Sequence, residues 1–278
     1  MDAPPKYEDV APFIKIAQFF AKNGLHVPEI IGEERTKGFL LLTDLGSQPY
    51  LERLNGKSAD VLYRSAIDAL IKIQLCDQQS IKLSEYNGTL LQQELNLFSE
   101  WFLYKHLSLS VPDTVQNQFD VLINNALEQP QVIVHRDYHS RNLMYSDTHN
   151  PGIIDFQDAV IGPISYDLVS MLRDSYIAWP EDKIEVWVAH YFKLANDQKL
   201  LSNCSLERFT RWFDLMGLQR HIKVLGIFCR LNYRDKKSNY MQDLPQTLAY
   251  VLKICSKYDE FEDLSNFLST QPKIKAIL

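Results

Sequence analysis

The sequence is short of several features that would assign its class at once. Its four cysteines, Cys76, Cys204, Cys229 and Cys255, lie far apart, form no C-x-x-C pair and have no histidine cluster nearby. Neither a zinc site nor a disulfide framework is indicated, and reduced thiols are expected. No apolar run reaches the roughly 20 residues that span a bilayer, and Met1-Asp2-Ala3-Pro4-Pro5 lacks the basic and then apolar stretches of a signal peptide. Positive charge is in the minority. Twenty-nine Lys and Arg stand against 35 Asp and Glu, and a net charge of −6 argues against broad nucleic-acid binding, which relies on a basic surface to neutralise phosphates. Internal repeats, low-complexity tracts and Gly/Ser- or Pro-rich linkers are missing too. What remains is 278 residues, 46% hydrophobic and 23% charged, an ordinary composition for one large or two modest domains. A cytoplasmic enzyme with no membrane or nucleic-acid partner is expected.

Periodicity divides the chain unevenly. Phe13, Ile16, Ala17 and Phe20 recur at helical spacing ahead of Gly24, predicting an amphipathic helix from Tyr7 to Asn23. Glu29-Ile30-Ile31 and Phe39-Leu40-Leu41-Leu42 then flank a turn-rich segment and predict an antiparallel hairpin. Thr43-Asp44-Leu45-Gly46 reads as a joint between a small and a large lobe. Beyond it helical patterns dominate, over 58–76, 90–107, 112–129, 164–178, 184–195, 206–234 and 244–258. The exception is central: Val132-Ile133-Val134 is β-branched, and Leu143-Met144-Tyr145 and Ile153-Ile154 form two brief strands across a turn.

That short hairpin places Asn142 at the entry of one strand and Asp155 at the exit of its partner, while Asp137 lies on the preceding loop. Three oxygen-bearing side chains therefore converge. Phosphoryl transfer requires such a meeting, because Mg2+ prefers oxygen ligands and a triphosphate must be held in line with the attacking hydroxyl. The order H-x-D-x-H-x-x-N followed by I-D-F matches a kinase catalytic loop and its metal-binding segment. Asp137 is the expected base, which orients the hydroxyl and takes its proton late. Asn142 and Asp155 are the expected metal and nucleotide ligands. Turn formation or helix capping is the competing account of the two aspartates.

With these residues in place the sequence resembles the aminoglycoside phosphotransferase superfamily, the small-molecule relatives of the protein kinases. His139, two residues after Asp137, is what separates the pattern from a protein kinase. His135 and His139 are read as braces of the loop. Asp155-Phe156-Gln157-Asp158 stands where protein kinases have Asp-Phe-Gly, which argues against a flip of that segment. The resemblance implies an α+β, protein-kinase-like two-lobe fold with a truncated small N-lobe (1–45) and a large, mainly helical C-lobe (46–278). It also implies ATP and Mg2+ as cofactors, backbone contacts to adenine at Leu42, Thr43, Asp44 and Leu45, and Asp167 as an anchor beneath the catalytic loop. Strands carrying a phosphate-touching Lys are expected ahead of the first helix. Glu8 or Asp9 would have been that Lys's partner, each being equally a helix-start charge.

More narrowly, 1–5, 135–139, 155–159, 172–176 and 218–221 resemble the anomeric kinases of N-acetylmuramate and N-acetylglucosamine in cell-wall recycling. An amino-sugar substrate is implied. Arg220, Lys223, Arg230 and Arg234 fall on one helical stripe able to receive a substrate carboxylate, with a solvated helix face as the alternative. Arg173 and Asp174 are candidates for sugar hydroxyls, with a surface ion pair as the alternative. Two further readings stay open: a truncated, catalytically impaired binding protein, and a kinase for aminoglycoside- or choline-like substrates.

Overall fold

A computed structural model describes residues 1–6 and 8–278. In chain order the elements are α1 (Ala11–Lys22), β1 (Ile30–Glu34), β2 (Phe39–Leu42), α2 (Tyr50–Arg53), α3 (Ala59–Leu75), β3 (Ser84–Glu85) and α4 (Gly88–Leu97). A π-helical segment (Phe98–His106) leads to α5 (Asp113–Leu127), β4 (Gln131–Val134), β5 (Leu143–Met144), β6 (Gly152–Ile153), β7 (Val160–Pro163) and α6 (Tyr166–Leu172). The chain continues with α7 (Glu181–Asp197), α8 (Leu206–Tyr233), α9 (Leu244–Cys255), α10 (Glu262–Thr270) and α11 (Pro272–Lys275). The first helix begins at Ala11, with Pro12 in its first turn; the start expected at Tyr7 lies outside the described residues. No helix among the described residues is long and apolar enough to cross a membrane.

By compactness the chain divides into two units, each assembled from three segments. The first comprises Met1–Glu85, Gln131–Leu172 and Pro180–Asn203. In it β1 and β2 form the expected hairpin, with Glu34 opposite Phe39 and a register irregularity between Ile30 and Gly32. Residues 1–3 run beside β2: Leu40 N–H donates to Met1 O (3.1 Å) and Ala3 N–H to Gly38 O (3.0 Å). Gly38 is needed there, since it has φ of 75° and a Cβ would lie 1.8 Å from Ala3 O. A three-stranded sheet sets β7 between β3, which is parallel to it, and β4, which is antiparallel. Helices α3 and α7 are joined by Tyr63 against Trp187 (centroids 4.6 Å apart) and by Trp187 Nε1–H to Asp60 Oδ1 (3.0 Å).

Strand β7 is a correction to the sequence reading. Val160-Ile161 is followed at once by Gly162-Pro163, so local pattern offers only two strand-like residues. Pairing of Val132 with Gly162 and Val134 with Val160 supplies the rest. The helix expected over 164–178 stops at Leu172, where Asp174 Oδ1 accepts the Tyr176 N–H (3.0 Å) in a turn.

The second unit comprises Tyr86–Pro130, Arg173–Trp179 and Cys204–Leu278. Its core gathers Phe98, Phe102, Phe119, Leu218, Ile222, Leu225, Leu248 and Val251, all completely buried. Gly226 of α8 lets that helix approach α4, since a Cβ there would lie 2.4 Å from the Leu97 carbonyl carbon. The single helix expected over 90–107 is instead α4 continued by π-helical turns, within which Phe98 and Phe102 stack at 5.3 Å.

Candidate active site

The site in the first unit begins at the end of β4, which delivers a chain already buried at Val134 into the loop His135–Arg141. Asp167, wholly buried at the start of α6, accepts the backbone N–H of His135 on Oδ2 (2.7 Å) and of Arg136 on Oδ1 (3.0 Å). Those two bonds hold Arg136 at φ of 75°, a left-handed conformation that non-glycine residues seldom adopt. His135 is buried, and its Nε2 donates to Ile154 O (3.0 Å), tying the loop to the segment after β6. Burial lowers its pKa to about 4, against the opposing pull of the Asp137 and Asp155 charges, so the ring is neutral at pH 7. His139 is also buried, and its backbone N–H donates to Asp137 O (3.1 Å).

Strands β5 and β6 then bring Asn142 and Asp155 together. Leu143 faces Ile153, and Ile154 N–H donates to Asn142 O (3.1 Å). Asn142 Nδ2 donates both to Asp137 O (3.0 Å) and to Asp155 Oδ2 (3.1 Å). Both partners are acceptors, which orients the amide: nitrogen faces them, and Oδ1 is left as the atom able to bind a cation. Asp155 has φ of 65° and accepts Gln157 Nε2–H on Oδ1 (2.8 Å). Phe156 is completely buried, stacked on Phe13 of α1 (5.0 Å) and edge-on to Phe20 (5.7 Å). The exposed Asp155 thus sits next to an aromatic anchor.

Asn142, Asp155, Gln157 and Asp158 line a cavity of about 770 Å³, together with Glu8 and Asp9 from the approach to α1. No group of three or more His, Cys, Asp and Glu side chains suited to a metal ion exists among the described residues. One carboxylate and one amide oxygen are nonetheless the hard donors Mg2+ takes when phosphates and water complete its octahedron, so the residues present fit that ion. At the proposed hinge, Thr43 N–H is committed to Glu29 O (2.9 Å), and the Leu45 side chain lies within 3.0 Å of where a Cβ on Gly152 would stand.

The four residues expected to bind substrate, Arg173, Asp174, Arg220 and Lys223, belong to the second unit, and all four are buried. Arg173 and Asp214 form a buried ion pair (2.8 Å). Lys223 pairs with Glu94 (3.0 Å), likewise buried. Asp174 is buried at its turn. Arg220 is 5% exposed, and its Nε and Nη1 have no hydrogen-bond partner among the described residues. Farther along α8, Arg230 is half-buried and the exposed Arg234 pairs with Asp235 (2.7 Å). The sequence reading assigned no role to Gln157, Glu94 or Asp214. Gln157 was visible as the residue in the glycine position, whereas nothing local marks Glu94 or Asp214 as partners of distant cations.

The chain is 42% identical to the N-acetylmuramate/N-acetylglucosamine kinase of Pseudomonas putida over 273 residues, covering 97% of this chain and 80% of that one. The enzyme of the same name from Neisseria meningitidis serogroup B is 38% identical, with 95% and 80% covered. The ADP-bound structure of aminoglycoside phosphotransferase APH(2'')-Ib superposes with a TM-score of 0.56 at 15% identity, over 87% of this chain and 82% of that one. That likeness establishes an α+β, kinase-like fold with a large helical part. The model of the phosphotransferase enzyme family matches residues 1–200, and the chain belongs to that family.

Proposed function

We propose that the protein is an ATP-dependent kinase acting on a sugar hydroxyl, most specifically the anomeric hydroxyl of N-acetylmuramate, N-acetylglucosamine or both. The observation that carries the reading is the Asn142 side-chain amide, which donates to the Asp137 backbone carbonyl and to the Asp155 carboxylate and so supports a shared cluster of base and metal ligands. The shared name of the relatives at 42% and 38% identity supports the choice of sugar. ATP as co-substrate puts the enzyme in the cytoplasm under this reading.

Asp137 orients the hydroxyl and receives its proton as the oxygen bonds to phosphorus and the bridging P–O bond breaks. Asn142 Oδ1 and the Asp155 carboxylate would hold Mg2+, which when bound offsets charge on the transferring group. Neutral His135 keeps the loop in register without adding a cation beneath Asp137. The backbone from Leu42 to Leu45 would meet the adenine. Arg220 is the candidate receptor for a substrate carboxylate, because a buried guanidinium N–H without an acceptor is costly and a carboxylate supplies one. Arg173 and Lys223 already have carboxylate partners, so under this reading they position the surrounding helices.

The test is phosphate transfer from ATP to a panel of amino sugars, with product identified by mass and by anomeric proton shifts. Transfer to the anomeric oxygen, abolished in Asp137→Asn with fold and nucleotide binding retained, is the expected outcome. An inert wild-type chain, or equal turnover by the mutant, would remove the proposal.

A further inference from the structure

We infer that Gln157 is a positioning residue whose side-chain amide sets the Asp155 carboxylate in the orientation that receives the divalent cation. The inference rests on the metal role proposed above for Asp155. Protein kinases place glycine here, and glycine has no side chain to act on the carboxylate. In this chain Gln157 Nε2 donates to Asp155 Oδ1 (2.8 Å) while Asn142 Nδ2 donates to Oδ2 (3.1 Å). Each carboxylate oxygen has two acceptor directions, so one N–H on each still leaves one for a cation. With both oxygens held, rotation of the carboxylate breaks both bonds, and the metal-binding orientation exists before the metal arrives.

The surroundings are arranged to keep it there. Asp155 holds a left-handed backbone, φ 65°, which persists only when neighbours enforce it. Phe156 is locked between Phe13 and Phe20, and Ile154 O is held by His135. Gln157 lies in the wall of the same cavity as Asp155 and Asn142, half-buried, with its amide turned to the carboxylate. A Gln that merely packed in the turn closed by Ala159 N–H to Phe156 O would contribute to stability without touching the metal dependence.

The experiment uses the full chain carrying Gln157→Met, which keeps length and removes the donor, Gln157→Ala, and Asp155→Ala as reference. Binding of a fluorescent ATP analogue is titrated with Mg2+, and the melting temperature of the unliganded protein is recorded in parallel. Both Gln157 variants are expected to raise the Mg2+ concentration at half-saturation about ten-fold, the factor of one hydrogen bond to a charged group. Affinity at saturating Mg2+ and the melting temperature stay near wild type. A midpoint within about two-fold of wild type in Gln157→Met, while Asp155→Ala has lost Mg2+ dependence, overturns the positioning role alone. A raised midpoint matched by a large loss of unliganded stability makes Gln157 a packing residue and overturns it as well. Wild-type Mg2+ dependence in Asp155→Ala would instead defeat the metal assignment, and the inference with it.

Discussion

Replacing Asp167 with Ala tests how the catalytic loop is held. The carboxylate is completely buried and accepts the N–H groups of His135 at 2.7 Å and Arg136 at 3.0 Å. Deleting it leaves two backbone donors without that acceptor, at about 1–3 kcal/mol each, so roughly 2–6 kcal/mol of folding free energy should be lost. The effect on turnover is separate. Arg136 at φ 75° is held by these two bonds, and once released it relaxes towards ordinary backbone angles and carries Asp137 with it. A displacement near 1 Å costs about 100-fold in rate. Asp167→Asn retains one acceptor oxygen and should lie between the mutant and wild type on both scales. Urea unfolding gives the first quantity, and kcat at saturating ATP and sugar gives the second. Unfolding free energy within about 1 kcal/mol of wild type, with kcat unchanged, would refute the anchoring argument.

Three further outcomes are expected. Arg220→Met should raise KM for N-acetylmuramate about ten-fold through loss of one charge-assisted contact, leaving N-acetylglucosamine within about two-fold; equal losses on both sugars would dismiss the carboxylate role. Asp214→Ala should destabilise the protein by about 3–5 kcal/mol in chemical denaturation, because Arg173 becomes a buried charge without its carboxylate, and adding Arg173→Met should recover part of that. Burial lowers the pKa of His135 to about 4 and of His221, with the nearby Arg220 charge also contributing, to about 3. Unfolding frees both to protonate near pH 6.5. The unfolded state therefore binds more protons below that pH, and the stability from each histidine, complete above it, is lost as pH falls towards 4 and then 3, at up to about 1.4 kcal/mol per pH unit. His221→Gln should flatten the dependence of unfolding free energy on pH between 6 and 4, and an unchanged slope would contradict the assignment.

The elements that local pattern can specify are legible in the sequence alone. Helix α3, expected over 58–76, is found at Ala59–Leu75, and α8, expected over 206–234, at Leu206–Tyr233. Both carry a 3.6-residue repeat that needs no partner to be recognised. The β1–β2 and β5–β6 hairpins were readable because turn residues separate two short apolar runs. Helix α10 carries the same kind of signal, Leu264 and Leu268 being four apart and both completely buried, although the polar stretch 256–260 before it interrupts the pattern. Strand β7 was legible only at Val160-Ile161, since it is completed by ladder bonds to β4.

By itself, the sequence determined which oxygen donors stand at which spacing around a short hairpin, Asp137, Asn142 and Asp155, the pattern expected of a phosphotransferase loop. Tertiary structure alone decided the fate of the charges. Arg173 and Lys223 read as available cations until Asp214 and Glu94, remote in the chain, are seen beside them, whereas Arg220, on the helix that carries Lys223, is buried without an ion pair among the described residues. The physical reason is that desolvation and Coulomb attraction depend on distance through space. A helical repeat reports only the face a side chain shares, and neither the depth at which it is buried nor the counter-charge it meets there.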